Sequence, residues 1–208
     1  MDYRVGDVLH ISCPFTATVV SGVDRTHVFV RWPWWRIDPD ADGIRWNGDV
    51  ALARDDPDEL YATDPPARRI APGDSCRVGI PPRVVHVAEI YEHDPPQETG
   101  WLPRPTRELL IMPIDTTIDP DDDIPFVLEL VFRPYAFLRL GDDVADADGR
   151  AWRFDGPWTW FAYDGVDGVP AWPLTLLAGD TAAEAVSAAT ASGSHESETT
   201  RWHEARRG

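Results

Sequence analysis

Apolar and polar residues alternate in short runs along most of the chain, and this pattern predicts β-strands. β-Branched and aromatic residues dominate the runs, which is typical of strand sequences. Pairs such as Asp148-Gly149 and Asp155-Gly156 separate the runs and supply turn chemistry. The strands predicted in this way span residues 15–20, 26–37, 83–91, 108–114, 126–132, 136–140, 151–154, 158–163 and 172–177.

Proline is frequent throughout the body of the chain, with 20 residues in total, and it disrupts helix interiors. The sequence therefore predicts an all-β fold of short antiparallel strands, arranged as two or more small SH3-like barrels or as a β-sandwich. One short C-terminal helix is expected over 181–191, because Thr181 and Glu184 match a capping box before an alanine-rich run. The chain turns polar and small beyond Ser192 and ends in 201–208, so we predict a disordered tail over 192–208.

Two internal similarities suggest repeated β units. The pair Gly-Asp recurs at almost equal intervals, at 6–7, 73–74 and 141–142, although it also occurs at 48–49 and 179–180, so chance spacing is the alternative. Segments 40–46 and 146–152 share Asp-Ala-Asp-Gly with a Trp three positions later, which is a hairpin signal. We therefore divide the chain into β units 1–66 (with a Trp-rich strand), 67–134 and 135–180, followed by the helix 181–191 and the tail 192–208.

The composition is strongly acidic, with 36 Asp and Glu against 19 basic residues, all of them Arg, and a net charge of −17. An evenly acidic surface repels phosphate and anionic lipid, which argues against nucleic-acid and membrane partners. No apolar run is long enough for a membrane span or a signal peptide. We therefore expect a cytoplasmic protein in which Cys13 and Cys76 are buried free thiols.

Patterns for metals and catalysis are weak. Segment 38–49 places acids and a glycine at the ligand positions of a calcium loop, but it lacks the final bidentate Glu, and an acid-rich turn is the simpler interpretation. The two cysteines with His10 and His86 lack the paired spacing of a zinc site. Nucleophile-elbow, phosphate-loop and dinucleotide fingerprints are absent. We expect no metal and no cofactor, and we assign no catalytic residue.

Ten tryptophans are the best functional candidates. The residues predicted to bind a partner or ligand are Trp32, Trp34, Trp35, Arg36, Trp158 and Trp160. On a strand, Trp32 and Trp34 would share one face and Trp35 would lie on the other. An exposed indole among acids suits a basic or proline-rich peptide through cation–π contact and stacking, and core packing is the alternative.

Charge and tryptophan content together favour a non-enzymatic protein-interaction module that binds a basic partner through an acidic, aromatic face. One concrete form is an immunity-like or regulatory protein that masks a basic site on another protein. The alternative from another class is a small-molecule or carbohydrate-binding enzyme with Trp platforms and a carboxylate pair. A third is a structural component of a larger assembly.

Overall fold

The computed structural model describes residues 2–34, 36–40, 48–56 and 59–207, and this part of the chain is mostly β, with curled antiparallel sheets and two helices. The strands are β1 (Val8–Val23), β2 (His27–Arg31), β3 (Arg36–Ile37), β4 (Asp49–Ala53), β5 (Ala62–Asp64), β6 (Ser75–Glu92), β7 (Trp101–Leu102), β8 (Arg107–Met112), β9 (Thr116–Ile118), β10 (Val127–Phe132), β11 (Asp143–Ala145), β12 (Ala151–Gly156), β13 (Thr159–Ala162) and β14 (Thr175–Ala178). The helices are α1 (Ala183–Thr190) and α2 (His195–Ala205), and a 3₁₀ turn spans Ala67–Arg69. The predicted β character is confirmed, whereas SH3-like barrels stay a prediction.

The chain forms two compact units, Leu9–Glu129 and a second one that combines Met1–Val8 with Leu130–Gly208. We call them the 9–129 unit and the C-terminal unit. The largest sheet has the strand order β4-β2-β1-β6-β8-β9, with β10 paired to β1 and β5 paired to β6. Strands from both sides of residue 66 belong to this sheet, so the boundary predicted there has no counterpart in the two-unit division.

Alternating apolar residues on β2, β4 and β6 build the core of the 9–129 unit. Val28, Val30 and Val78 are fully buried, and Leu52 lies opposite Val28 in the β2–β4 pairing. Both cysteines are buried free thiols, as expected, and burial raises the pKa of Cys13 to about 11. This thiol therefore stays protonated at neutral pH.

The three evenly spaced Gly-Asp pairs form the same turn. Each glycine has a left-handed φ, at +89°, +85° and +87°, which favours a residue without a Cβ. The backbone N–H of each Asp donates to a carbonyl three residues earlier over 3.0, 3.1 and 3.1 Å. Each Asp carboxylate in turn accepts the N–H of that earlier residue over 2.9, 2.8 and 2.8 Å. Strands β1, β6 and β11 begin directly after these turns, so the sequence repeat marks a repeated local structure.

The C-terminal unit has a four-stranded antiparallel sheet in the order β13-β12-β11-β14. Strands β11 and β12 form the hairpin predicted at 146–152, whereas most of the similar segment 40–46 lies outside the described residues.

The strand predicted over 136–140 is wrong. Tyr135 adopts a left-handed φ of +53° and its carbonyl accepts the Leu138 N–H, which makes a turn that buries both side chains.

The disordered tail predicted over 192–208 is also wrong, because α2 occupies most of it. Trp202 is the anchor of this helix: its indole N–H donates to the Gly6 carbonyl over 2.8 Å, and its ring lies 4.8 Å from that of Trp158. Glu198 is buried and accepts the backbone N–H of Tyr135 over 2.9 Å. Tertiary contacts order a segment whose composition is typical of disorder.

A capping box begins α2, and its removal should weaken the helix. The Ser194 hydroxyl accepts the Ser197 N–H, and the Ser197 hydroxyl accepts the Ser194 N–H. Ser194→Ala should lower the free energy of unfolding by about 1 kcal/mol and speed amide exchange in the first turn of α2. Urea denaturation and hydrogen exchange measure these effects, with Ser192→Ala as a control outside the helix. Equal exchange rates in the wild type and Ser194→Ala would contradict the cap.

Candidate functional site

An open pocket of about 430 Å³ lies in the 9–129 unit, and Trp32 is part of its lining. Its lining consists of Trp32, Val50, Ala51, Leu52, Asp56, Glu59, Leu60, Tyr61, Ile114, Asp115 and Thr116. The lining combines two aromatic rings, three carboxylates and several aliphatic side chains. Its volume falls within the range of ligand pockets, and its lining is about equally polar and apolar.

Strands of the unit and the turns between them position the lining. Trp32 directly follows β2, and its backbone N–H donates to the Gly48 carbonyl over 2.7 Å. Residues 50–52 belong to β4, which pairs with β2 along its whole length. Tyr61 precedes β5, and residues 114–116 form the turn from β8 to β9 and the start of β9. Because the pocket is built on paired strands, its aromatic and aliphatic walls have defined positions.

The aromatic wall is a packed group of three rings. The ring centroids of Trp32 and Tyr61 are 4.7 Å apart with an interplanar angle of 85°. Trp34 packs against Trp32 at 5.0 Å and against Tyr61 at 6.4 Å. All three rings are half-buried against the core of the unit. Edge-to-face contacts of this kind stabilise ring orientation.

The carboxylates give the pocket its charge, since the described lining contains no basic side chain. The Glu59 carboxylate accepts the Ala53 N–H over 3.3 Å, which ties it to β4. Asp115 is exposed at a turn position with φ +57°, a conformation that Asp and Asn adopt more readily than most residues. The two carboxylates thus project from different elements.

The phenol of Tyr61 adds no charge of its own. Burial raises its pKa well above the usual range for tyrosine, and neighbouring acids including Asp122 and Glu59 add to this shift. Tyr61 therefore stays neutral at physiological pH, so the charged side chains of the described lining are its three carboxylates. A low-dielectric wall beside such charges favours a cationic ligand.

The structure brings together only some of the residues predicted to form the site. Trp32 and Trp34 contact each other, although in a turn after β2 and not on a continuous strand. Trp35 lies outside the described residues. Arg36 is exposed on β3 and forms an ion pair with Asp123. Sequence reasoning missed Tyr61, Glu59 and Asp115, because neither an isolated tyrosine nor two acids among many carry a recognisable signal.

Trp158 and Trp160 belong to the C-terminal unit. Trp160 is half-buried, with ring centroids 5.6 Å from Tyr135 and 5.0 Å from Phe154, so it packs in the core of that unit. Trp158 is 41% exposed and rests on Trp202. A partner-binding role for these two residues stays a prediction.

The calcium-loop segment 38–49 lies partly outside the described residues. Its first acid, Asp38, is buried and bound to the Arg104 guanidinium at 2.6 Å. Hydrogen bonds from Arg104 and the Asp40 N–H hold the pKa of Asp38 below its usual value. Within the described ranges, no three His, Cys, Asp or Glu side chains cluster as a metal site would require.

Comparison of the chain with protein-family models, curated proteins and solved structures gives no match. None of the helices in the described ranges is long and apolar enough to cross a bilayer.

Proposed function

We propose that this protein is a non-enzymatic interaction module that binds a basic segment of a partner protein at the pocket around Trp32. The observation that supports the proposal is the lining, in which two aromatic rings and three carboxylates occur together and the described residues supply no basic side chain. Aromatic faces attract cations, and this attraction strengthens where water is excluded. The acidic charge of the whole chain would steer a basic partner toward the surface.

A second candidate is the small-molecule or carbohydrate-binding enzyme, because the same pocket places a tryptophan near two carboxylates, Glu59 and Asp115. Trp would serve as a platform for a sugar ring, and the carboxylates as an acid and a base. A set of nitrophenyl glycosides separates the two candidates. Hydrolysis that Glu59→Gln or Asp115→Asn abolishes would favour the enzyme, and no turnover is expected from the interaction module.

The proposed function predicts a partner that depends on the pocket carboxylates. The double variant Glu59→Gln, Asp115→Asn removes two charges and should preserve the structure, since Gln can still accept the Ala53 N–H and Asn tolerates a left-handed φ. Immobilised wild type should retain a basic protein in stoichiometric amount from cells that naturally produce this chain. The double variant should retain at least about tenfold less of this protein, because each charge-assisted contact contributes about 1.5–3 kcal/mol to binding.

The matched control removes the same number of charges elsewhere. Asp148→Asn, Asp167→Asn changes two exposed acids of the C-terminal unit and leaves the pocket intact. It should retain the partner as the wild type does. The proposal is contradicted if the wild type and both double variants retain equal amounts of the basic protein. It is also contradicted if none of the three retains it.

A further inference from the structure

We infer that the pocket receives a single arginine side chain of the partner, an inference that rests on the proposed function. A positively charged occupant fits best, because the lining supplies carboxylates and, among the described residues, no basic side chain. Arginine and lysine both meet this condition. Three features of the structure show that the pocket suits a planar guanidinium, and the second and third favour it over the compact ammonium group.

The first feature is that the chain itself twice binds arginine with the same combination of groups. The Arg150 guanidinium lies 4.4 Å from the centroid of the Trp152 ring, and it donates to both oxygens of Asp164 over 2.8 and 2.9 Å. Arg153 likewise lies 4.9 Å from the Phe161 ring and donates to both oxygens of Asp155 over 2.7 and 3.0 Å. A ring face and a carboxylate together are thus an arginine site in this protein.

The second feature is the arrangement of the same groups in the pocket. Trp32 and Tyr61 both line the pocket, and their ring planes meet at 85°. Glu59 and Asp115 project from different elements of the fold. A guanidinium has five donors in a rigid plane, so it can stack on a ring and still donate to more than one carboxylate.

The third feature is the aliphatic part of the lining, which includes Val50, Leu52 and Leu60. An ammonium ion binds its hydration water strongly. A guanidinium is more weakly hydrated, so its loss of hydration costs less free energy when it enters an apolar site. The methylene groups of an arginine side chain would also cover these residues. The lining therefore matches both ends of an arginine side chain.

The test uses short Gly/Ser peptides that carry one central arginine, lysine or citrulline. The peptides are titrated into the ¹⁵N-labelled full chain, and the indole N–H signal of Trp32, assigned with Trp32→Phe, reports occupancy of the pocket. The arginine peptide should shift this signal with the highest affinity. Citrulline has the same shape without charge and should bind at least about tenfold more weakly, and lysine several-fold more weakly.

Variants distinguish pocket binding from general attraction to an acidic protein. Glu59→Gln, Asp115→Asn should weaken binding of the arginine peptide at least about fivefold, whereas Asp148→Asn, Asp167→Asn should leave it within about twofold. Sedimentation velocity of the wild type should show a monomer. A dimer that the pocket variant dissociates would place an arginine of a second copy in the pocket and contradict a separate partner.

The outcomes also separate this inference from the proposed function. Equal or tighter binding of the lysine peptide overturns the arginine assignment and leaves the basic partner standing. Absence of any shift of the Trp32 signal with the arginine peptide overturns the assignment as well. The retention experiment then decides independently whether the pocket binds a basic protein.

Discussion

Arg133→Ala should destabilise the protein by about 3–5 kcal/mol, because it leaves the carboxylate of Asp7 buried without its counter-charge. Asp7 has no solvent exposure. The Arg133 guanidinium donates to both of its oxygens, over 2.8 and 2.6 Å, and also to the carbonyl of Asp2. Urea denaturation followed by far-UV circular dichroism measures the loss.

Three variants show whether the loss arises from the buried charge. Arg133→Lys keeps the charge but not the paired donors, so its free energy of unfolding should lie between those of Arg133→Ala and the wild type. The double variant Asp7→Asn, Arg133→Leu removes both charges and should recover part of the loss, since a matched removal leaves no unpaired ion. Arg139→Ala, at an exposed side chain, should stay within about 0.5 kcal/mol of the wild type. A loss below 1 kcal/mol for Arg133→Ala would mean that water or another cation reaches Asp7.

The Gly-Asp turns show what a sequence pattern can reveal about this fold. Spacing identified the three turns that share one hydrogen-bond arrangement, because glycine supplies the left-handed φ and aspartate binds its own backbone. The burial of the three carboxylates differs: Asp7 and Asp142 are buried, and Asp74 is exposed. Local chemistry fixes the turn, but the strands and helices that pack around it decide which aspartate is critical.

The helix α2 shows the opposite case, in which local composition is misleading. Residues 192–208 are polar or small apart from Trp202, which is the one large apolar side chain among them. Its hydrogen bond to Gly6 joins positions that are far apart in the chain, so no local window contains that contact. Glu198 makes a second long-range contact, to the Tyr135 N–H, that no local window contains either.

Only the tryptophans of the candidate site were predictable from the sequence. Crowding of Trp32 and Trp34 in one segment identified the cluster, because such rings need a core or a ligand. The acidic half comes from two distant parts of the chain, around Glu59 and around Asp115, which only the sheet brings to one pocket. Because the sequence contains 36 acidic residues, no pattern of spacing could single out Glu59 and Asp115.

Asp146→Ala should lower the free energy of unfolding by about 3 kcal/mol, because it leaves buried donors without an acceptor. Asp146 is 7% exposed, and its carboxylate accepts the Trp152 indole N–H over 2.9 Å in the core of the C-terminal unit. It also accepts the backbone N–H groups of Asp148 and Arg150, over 3.0 and 2.8 Å, across the β11–β12 hairpin. Asp148→Ala, at an exposed side chain of the same turn, is the control and should change the stability by less than about 0.5 kcal/mol.

The pH dependence of Asp146→Asn isolates the charge of this carboxylate. Burial alone would raise the pKa of Asp146, but the hydrogen bonds from Trp152 and the backbone outweigh it and hold the pKa below its usual value. A group with a lowered pKa in the folded state stabilises the fold above its unfolded pKa of about 4, and this contribution is lost as the pH falls through the folded value. The stability difference between the wild type and Asp146→Asn should therefore be constant from pH 7 to about pH 5 and shrink below about pH 4. A difference that stays the same down to pH 2 would show that the lost interaction does not depend on ionisation of Asp146.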